Sequence, residues 1–152
     1  MKKIVMRQYQ DIINKARERT AGLSLPSEGW LKTMRKALGM SGSQLARRLG
    51  VSRSQIAQSE RNELSGAVTL RTLQNAAEAM GGRLVYTIVP AGKIETLIAK
   101  RAREKAQQLV SRANVHMALE SQTLDTKSRD FEIRRLEQEL LNTMPSDFWD
   151  DA

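Results

Sequence analysis

Three features of the sequence predict a mainly α fold: a bundle of short helices, one short β-strand and a C-terminal helical extension. Apolar residues recur at three- and four-residue spacing through most of the chain. Aromatic residues make up 4% of the 152 positions and charged residues 28%, a balance that favours helices. β-branched and aromatic residues gather in one run only, Arg83 to Pro90. Composition and turn signals divide the chain into residues 1–28, 29–90 and 91–152.

Residues 2–21 form an amphipathic helix. Val5, Tyr9, Ile12, Ile13 and Ala16 share a face, and Lys15, Arg17 and Arg19 sit where cations suit a helix C-terminus. This helix either packs on the main domain or serves as an arm for a partner. Gly22 to Gly29 is a linker by composition. Residues 29–39 begin the central domain, with Trp30 or Leu31, Met34 and Leu38 as the buried face and Gly39 as the stop. A loop follows Arg61. Thr69 caps a further helix that buries Leu70, Leu73, Ala76, Ala77 and Met80 before Gly81-Gly82 ends it.

Between these helices lies SQLARRLGVSRSQIAQSER, residues 43–61. Leu45, Ala46 and Leu49 make one helix face. Gly50 supplies the left-handed conformation that a helix stop prefers. Ser52 can cap a second helix, because its hydroxyl can accept a free backbone N–H. That second helix buries Ile56 and leaves Arg53, Ser54, Gln55 and Gln58 polar. Two helices around a Gly-containing turn, the second with an uncovered polar face, describe a helix-turn-helix whose second helix enters the DNA major groove.

Charge points the same way. Residues 1–90 carry 15 Lys/Arg against 6 Asp/Glu, a net +9, and residues 91–152 carry 10 against 11, a net −1. The positive field sits on the half with the motif, as phosphate contacts with DNA require.

Arg83 to Pro90 reads as a strand, Leu84, Val85, Tyr86, Thr87, Ile88 and Val89, with no second strand to pair with. Pairing with the same strand of a second copy would give a two-fold homodimer suited to a palindromic operator. The alternative is an extended segment lying on its own domain. Residues 94–121 return to helical spacing through Ile98, Ala102, Leu109, Ala113 and Met117. Residues 121–130 read as a loop, and residues 131–142 as an amphipathic helix through Phe131, Ile133, Leu136 and Leu140 that Pro145 stops. The acidic tail carries Phe148 and Trp149, which either anchor a partner or fold back onto the chain's own helices.

Several functions are excluded. There is no Cys and one His, which rules out disulfides, thiolate metal sites and His-rich metal centres. No nucleophile–base pair and no Gly-rich phosphate loop is present, so the chain is expected to be no enzyme and to need no cofactor or metal. No run approaches the roughly 20 apolar residues of a membrane span, and the N-terminus lacks signal-peptide features. A bacterial cytoplasmic, nucleoid-associated protein is the expectation.

GWLKTMRKALGMSGSQLARRLGVSRSQIAQSE resembles the helix-turn-helix domain of the lambda-repressor-like (XRE) class over residues 29–82. The resemblance implies that Arg53, Ser54 and Gln58 face base edges, with Ser52 and Gln55 beside them. It further implies that Gln44 contacts phosphate and that Arg35 and Glu60 form an interhelical ion pair. The class favours Gln where Arg53 stands. Arg there can donate twice to guanine O6 and N7, which predicts a required G in each half-site.

A longer stretch is similar to the family called mobile mystery protein A: the same segment, then TLRTLQNAAEAMGGRLVYTIVP, then VHMALESQ. That family is typically encoded beside a Fic-domain protein, mobile mystery protein B. Fic proteins transfer AMP from ATP to a target hydroxyl and can act as toxins. The resemblance implies an antitoxin that neutralises the toxin and represses its own operon. Residues 94–152 are the expected toxin-binding region, with His116, Met117, Leu119, Glu120, Phe131, Leu136, Leu140, Phe148 and Trp149 as contacts. Many Fic antitoxins carry a Ser/Thr-x-x-x-Glu-Gly/Asn helix whose Glu obstructs the ATP γ-phosphate position. Ser24 to Gly29 matches those letters through Ser24 and Glu28, a coincidence expected about once in ten chains of this length. The competing reading is a stand-alone transcriptional regulator whose C-terminal half serves oligomerisation or ligand sensing.

Overall fold

The computed structural model describes residues 3–119 and 125–151. Its helices are α1 (Lys3–Thr20), α2 (Trp30–Ala37), α3 (Gly42–Leu49), α4 (Arg53–Ser65), α5 (Leu70–Ala79), α6 (Ile94–Leu119) and α7 (Thr126–Thr143). They form two compact units, Thr20–Thr87 with α2 to α5, and Met1–Arg19 plus Ile88–Ala152 with α1, α6 and α7. The sequence reading sets residues 1–28 apart; the contacts group α1 with the C-terminal helices.

In the Thr20–Thr87 unit, α2 and α3 each pack on α4 and α5. Leu31, Leu45, Ala46, Ile56, Ala76 and Met80 form the core, with Met40, Leu49, Leu73 and Ala79 against it. Each fully buried Leu or Ile contributes about 1.5–3 kcal/mol. Of the expected α2 face only Leu31 is buried, while Trp30, Met34 and Leu38 are exposed. Leu70 of α5 is exposed as well. Helix ends follow local chemistry. Ser41 and Ser52 each form a reciprocal capping box, and Gly50 closes α3 at φ 69°. α4 runs to Ser65, beyond the expected end near Arg61, so Glu63 lies on the helix and not in a loop.

In the other unit, α6 and α7 form a hairpin around Ala102, Ala106, Val110, Ile133, Leu140 and Phe148. The buried stripe of α6 runs through Ala106 and Val110, not the expected Leu109 and Ala113, which are exposed. A turn of α-helix is 3.6 residues, so either row fits the spacing, and packing on α7 selects between them. α7 starts at Thr126, inside the expected loop, because Asp125 accepts the Ser128 N–H at 2.7 Å as its N-cap. That bond holds the Asp125 carboxyl below its ordinary pKa.

The tail folds back. Phe148 is 1% exposed and plugs the hairpin core. Arg101 donates from Nε to the Phe148 carbonyl at 2.9 Å and from Nη2 to the Asp150 carbonyl at 2.6 Å. Lys105, itself buried, donates to the Asp147 carbonyl. Phe148 is therefore corrected from a partner anchor to a core residue, and Leu140 likewise. Two cations satisfy the tail's carbonyls, which lets the chain bury its own aromatic ring.

The expected strand is the other correction. Residues 82–90 carry no regular structure, and no strand occurs among the described residues. Leu84, Val85, Tyr86, Thr87, Ile88 and Val89 lack a second strand in the chain to complete a ladder. α1 also differs from a packed helix: Val5, Tyr9 and Ile12 are exposed. It is tied to α6 by polar bonds, in which Asn14 Oδ1 accepts the Ile94 N–H at 3.1 Å and Asn14 Nδ2 donates to Glu95.

The sequence has two tryptophans, Trp30 in one unit and Trp149 in the other, so each can report separately. Phe148→Ala should destabilise the α6–α7 unit by about 3–5 kcal/mol. Urea unfolding followed by Trp149 fluorescence in a Trp30→Phe background should show the shift, with the Trp30 transition of the Trp149→Phe counterpart unmoved.

Candidate nucleic-acid interface

The site is built on α4, and α4 is held by α2. Arg35 Nε donates to Glu60 Oε1 at 2.6 Å, with side chains only 13% and 12% exposed. Arg35 Nη1 also donates to the Met40 carbonyl at 2.9 Å, fixing the turn between α2 and α3. One helical turn further along α4, Glu63 accepts the Trp30 N–H at 2.6 Å and the Leu31 N–H at 2.9 Å. A carboxylate 32 residues away thus caps α2, where no local side chain does so. Gly29 makes room for it. Its φ is 83°, and a Cβ there would lie 3.0 Å from the Glu63 carboxylate. α3 is tied to α5 by Arg48, whose Nε donates to the Ala79 carbonyl at 2.7 Å.

The exposed residues of α4 differ in what they can offer. Gln55 Oε1 accepts the Ser52 N–H at 2.8 Å to complete the capping box. Its free polar group is therefore the Nε2 amide, a donor. It cannot present the donor–acceptor pair that reads adenine. Ser54 Oγ lies 3.0 Å from Ser52 Oγ. Gln58 is braced on both sides: Nε2 donates to Asn62 Oδ1 at 2.7 Å and Oε1 accepts from Arg61 Nη2 at 2.9 Å. Arg53 alone of these side chains makes no hydrogen bond or ion pair among the described residues. Its stem passes α3, with Cγ 3.9 Å from where a Cβ on Gly42 would be. The guanidinium heads α4 with all five donors uncommitted among the described residues.

Gln44 is the third residue of α3, and its Oε1 accepts the Ser41 N–H at 2.7 Å. Its Nε2 amide stays free to donate, the polarity a phosphate oxygen requires. Arg47, exposed on the same helix, adds charge with no motif position to mark it in the sequence. Arg61, Asn62 and Glu63 were missed as well. The i+3 and i+4 spacing of Arg61 and Asn62 from Gln58 was a usable signal; the Glu63 cap had none, because it depends on how α2 meets α4.

The remaining predicted residues lie elsewhere. Ser24 and Glu28 are outside any helix. Glu28 is held by Lys36 at 2.9 Å and Lys32 at 3.1 Å, which keep its carboxyl below the ordinary range. On the hairpin, Phe131 and Trp149 are 67% and 58% exposed, His116 is exposed, and Leu136 packs against the core. Glu120 and the Leu119 side chain fall outside the described residues. Among the described residues no cluster of three acidic or His side chains could hold a metal, and no helix is long and apolar enough to cross a membrane.

Residues 31–86 match the family model described as Helix-turn-helix, just over a third of the chain and nearly all of the four-helix unit. No curated protein and no solved structure matches the chain. The chain therefore carries a helix-turn-helix domain of the DNA-binding, XRE-like kind.

Removing Arg35 leaves Glu60 nearly buried and unpaired. Arg35→Ala should cost about 3 kcal/mol, and Glu63→Ala about 1–2 kcal/mol as a lost cap. Urea unfolding read by Trp30 in a Trp149→Phe background should rank them in that order.

Proposed function

We propose that the chain is an operator-binding repressor of its own operon and the antitoxin of a Fic-domain toxin of the mobile mystery protein B type. The observation that carries the DNA half is Arg53: an uncommitted guanidinium at the head of an exposed helix that two carboxylates fix in place. It donates to guanine O6 and N7. The neighbouring glutamines, their oxygens turned to the caps, donate from Nε2 to phosphate or to base acceptors. Two copies bind the two halves of a palindrome.

The toxin half rests on the family resemblance and on the hairpin surface. Phe131 and Trp149 stand out from α7 and the tail, as aromatic anchors of an interface do. Glu28 takes no part in neutralisation on this reading, since its carboxylate is engaged by α2 lysines outside any helix.

Two experiments test the two halves. In selection from random duplexes, the wild-type chain should enrich a G at one position of each half-site. Arg53→Ala should lose that preference, about tenfold to a hundredfold in discrimination, while phosphate-driven binding persists. Retention of the G by Arg53→Ala would contradict the assignment. For the toxin, Phe131→Glu/Trp149→Glu should abolish co-purification with the neighbouring Fic protein and spare operator binding, and Glu28→Ala should change neither. Neutralisation by the double variant would contradict the assignment of these aromatics as the toxin contact, whereas a wild-type chain that neither binds nor neutralises the Fic protein would be a stand-alone regulator.

A further inference from the structure

Phe148 fills a hole in the α6–α7 hairpin as a ligand fills a site. α6 contributes Ala102, Ala106 and Val110 to the cluster that takes the ring, and the two alanines leave the space it needs. At the rim stand two cations one turn apart, Arg101 and Lys105, with side chains 11% and 10% exposed. Among the described residues their hydrogen bonds go to the tail alone. Arg101 donates to the carbonyls of Phe148 and Asp150, and Lys105 to the carbonyl of Asp147. Tail carboxylates face the same cations. Asp151 Oδ1 lies 3.2 Å from Arg101 Nη1, and Asp147 Oδ2 lies 3.5 Å from Lys105 Nζ.

Three features set the tail apart from the hairpin it plugs. Met144, which joins it to α7, alone among the described non-glycine residues has a positive φ, 37°. Such strain persists only while surrounding contacts impose it. The tail also keeps its own turns, with the Phe148 N–H on the Pro145 carbonyl at 2.9 Å and the Asp150 N–H on the Asp147 carbonyl at 3.0 Å. It can therefore leave as one piece. And its hold on the hairpin is one buried ring plus main-chain carbonyls, which any peptide carries.

We propose that this hole is a peptide-binding groove, occupied at rest by the chain's own tail, that takes from a partner protein an acidic segment carrying one aromatic residue. The chemistry of the occupant follows from what the groove loses on emptying. Buried cations left without partners are costly, so an incoming segment must offer them carbonyls and carboxylates. A hole floored by alanines needs a ring to fill it. A tethered tail competes at an effective concentration on the order of millimolar. It keeps the groove closed to weak ligands and yields to a segment of better fit. This activity requires neither operator DNA nor a Fic protein.

The probe is a fluorescein-labelled peptide of the tail's own sequence, SDFWDD, from residues 146–151. The receptor is the full chain, and fluorescence anisotropy reads the binding. Wild type should bind the peptide weakly, because the resident tail competes. Phe148→Ala empties the hole and should bind it roughly tenfold or more tightly. Phe148→Leu keeps an apolar side chain in the hole, which guards against unfolding, and should fall between the two. Saturating peptide should also raise the urea midpoint of Phe148→Ala. The peptide SDAWDD should not bind, and Arg101→Gln added to Phe148→Leu should remove the gain. Equal binding by wild type and both Phe148 variants, equal binding of SDFWDD and SDAWDD, or a gain that survives Arg101→Gln would each overturn the proposal. Operator selection and co-purification with the Fic protein are read without the peptide, so failure of the groove is distinguishable from failure of either.

Discussion

Two carboxylates on α4, Glu60 and Glu63, fasten α2 along its length, and the rest of the DNA-binding unit depends on them. Glu60 meets Arg35 in a nearly dry contact, and Glu63 replaces the missing N-cap of α2. The unit has a small core, six buried residues of which two are alanines. Hydrophobic burial gives such a core cohesion without direction. Hydrogen-bonded charges supply direction: they fix the rotation and height of α4 against α2, and so the angle at which Arg53 projects. Gly29 belongs to the same device, since a side chain there would compete with the Glu63 carboxylate for space.

The capping boxes have a second effect, on chemistry. In each, a glutamine turns its oxygen to a backbone N–H of the cap and keeps both amide donors free. Stabilising the helix ends thus polarises the surface towards donors, which suits phosphates and the acceptor-rich edge of guanine. Local folding and recognition use the same atoms. The +9 charge of residues 1–90 is then a long-range field around a donor-rich surface, not a substitute for one.

Much of this was legible in the sequence, because it is local. Ser52 and Gly50 announce the ends of α4 and α3 by their own conformational preferences, and Ile56 marks the inward face by its spacing. What was not legible depends on tertiary contact. Glu63 looks like a loop residue until α2 is docked. The α6 stripe could run through Leu109 or Val110 until α7 chooses. Phe148 in an acidic tail reads equally as a partner anchor or as a residue folded back, and it is core here with Arg101 and Lys105 on α6 taking up the tail's carbonyls. The strand expectation failed for a related reason. Composition states that residues 84–89 suit a ladder, but a ladder needs a second strand, and the chain holds none among its described residues.

On the proposed function, α4 reads guanine in the major groove, once in each half of a palindromic operator. Methylation protection of guanine N7 on a selected operator tests it most directly. Two guanines should be protected, one per half-site, symmetric about the operator centre and separated by about one helical turn or a multiple of it. Binding that protects no guanine N7, and that fades uniformly with salt on every duplex, would contradict it.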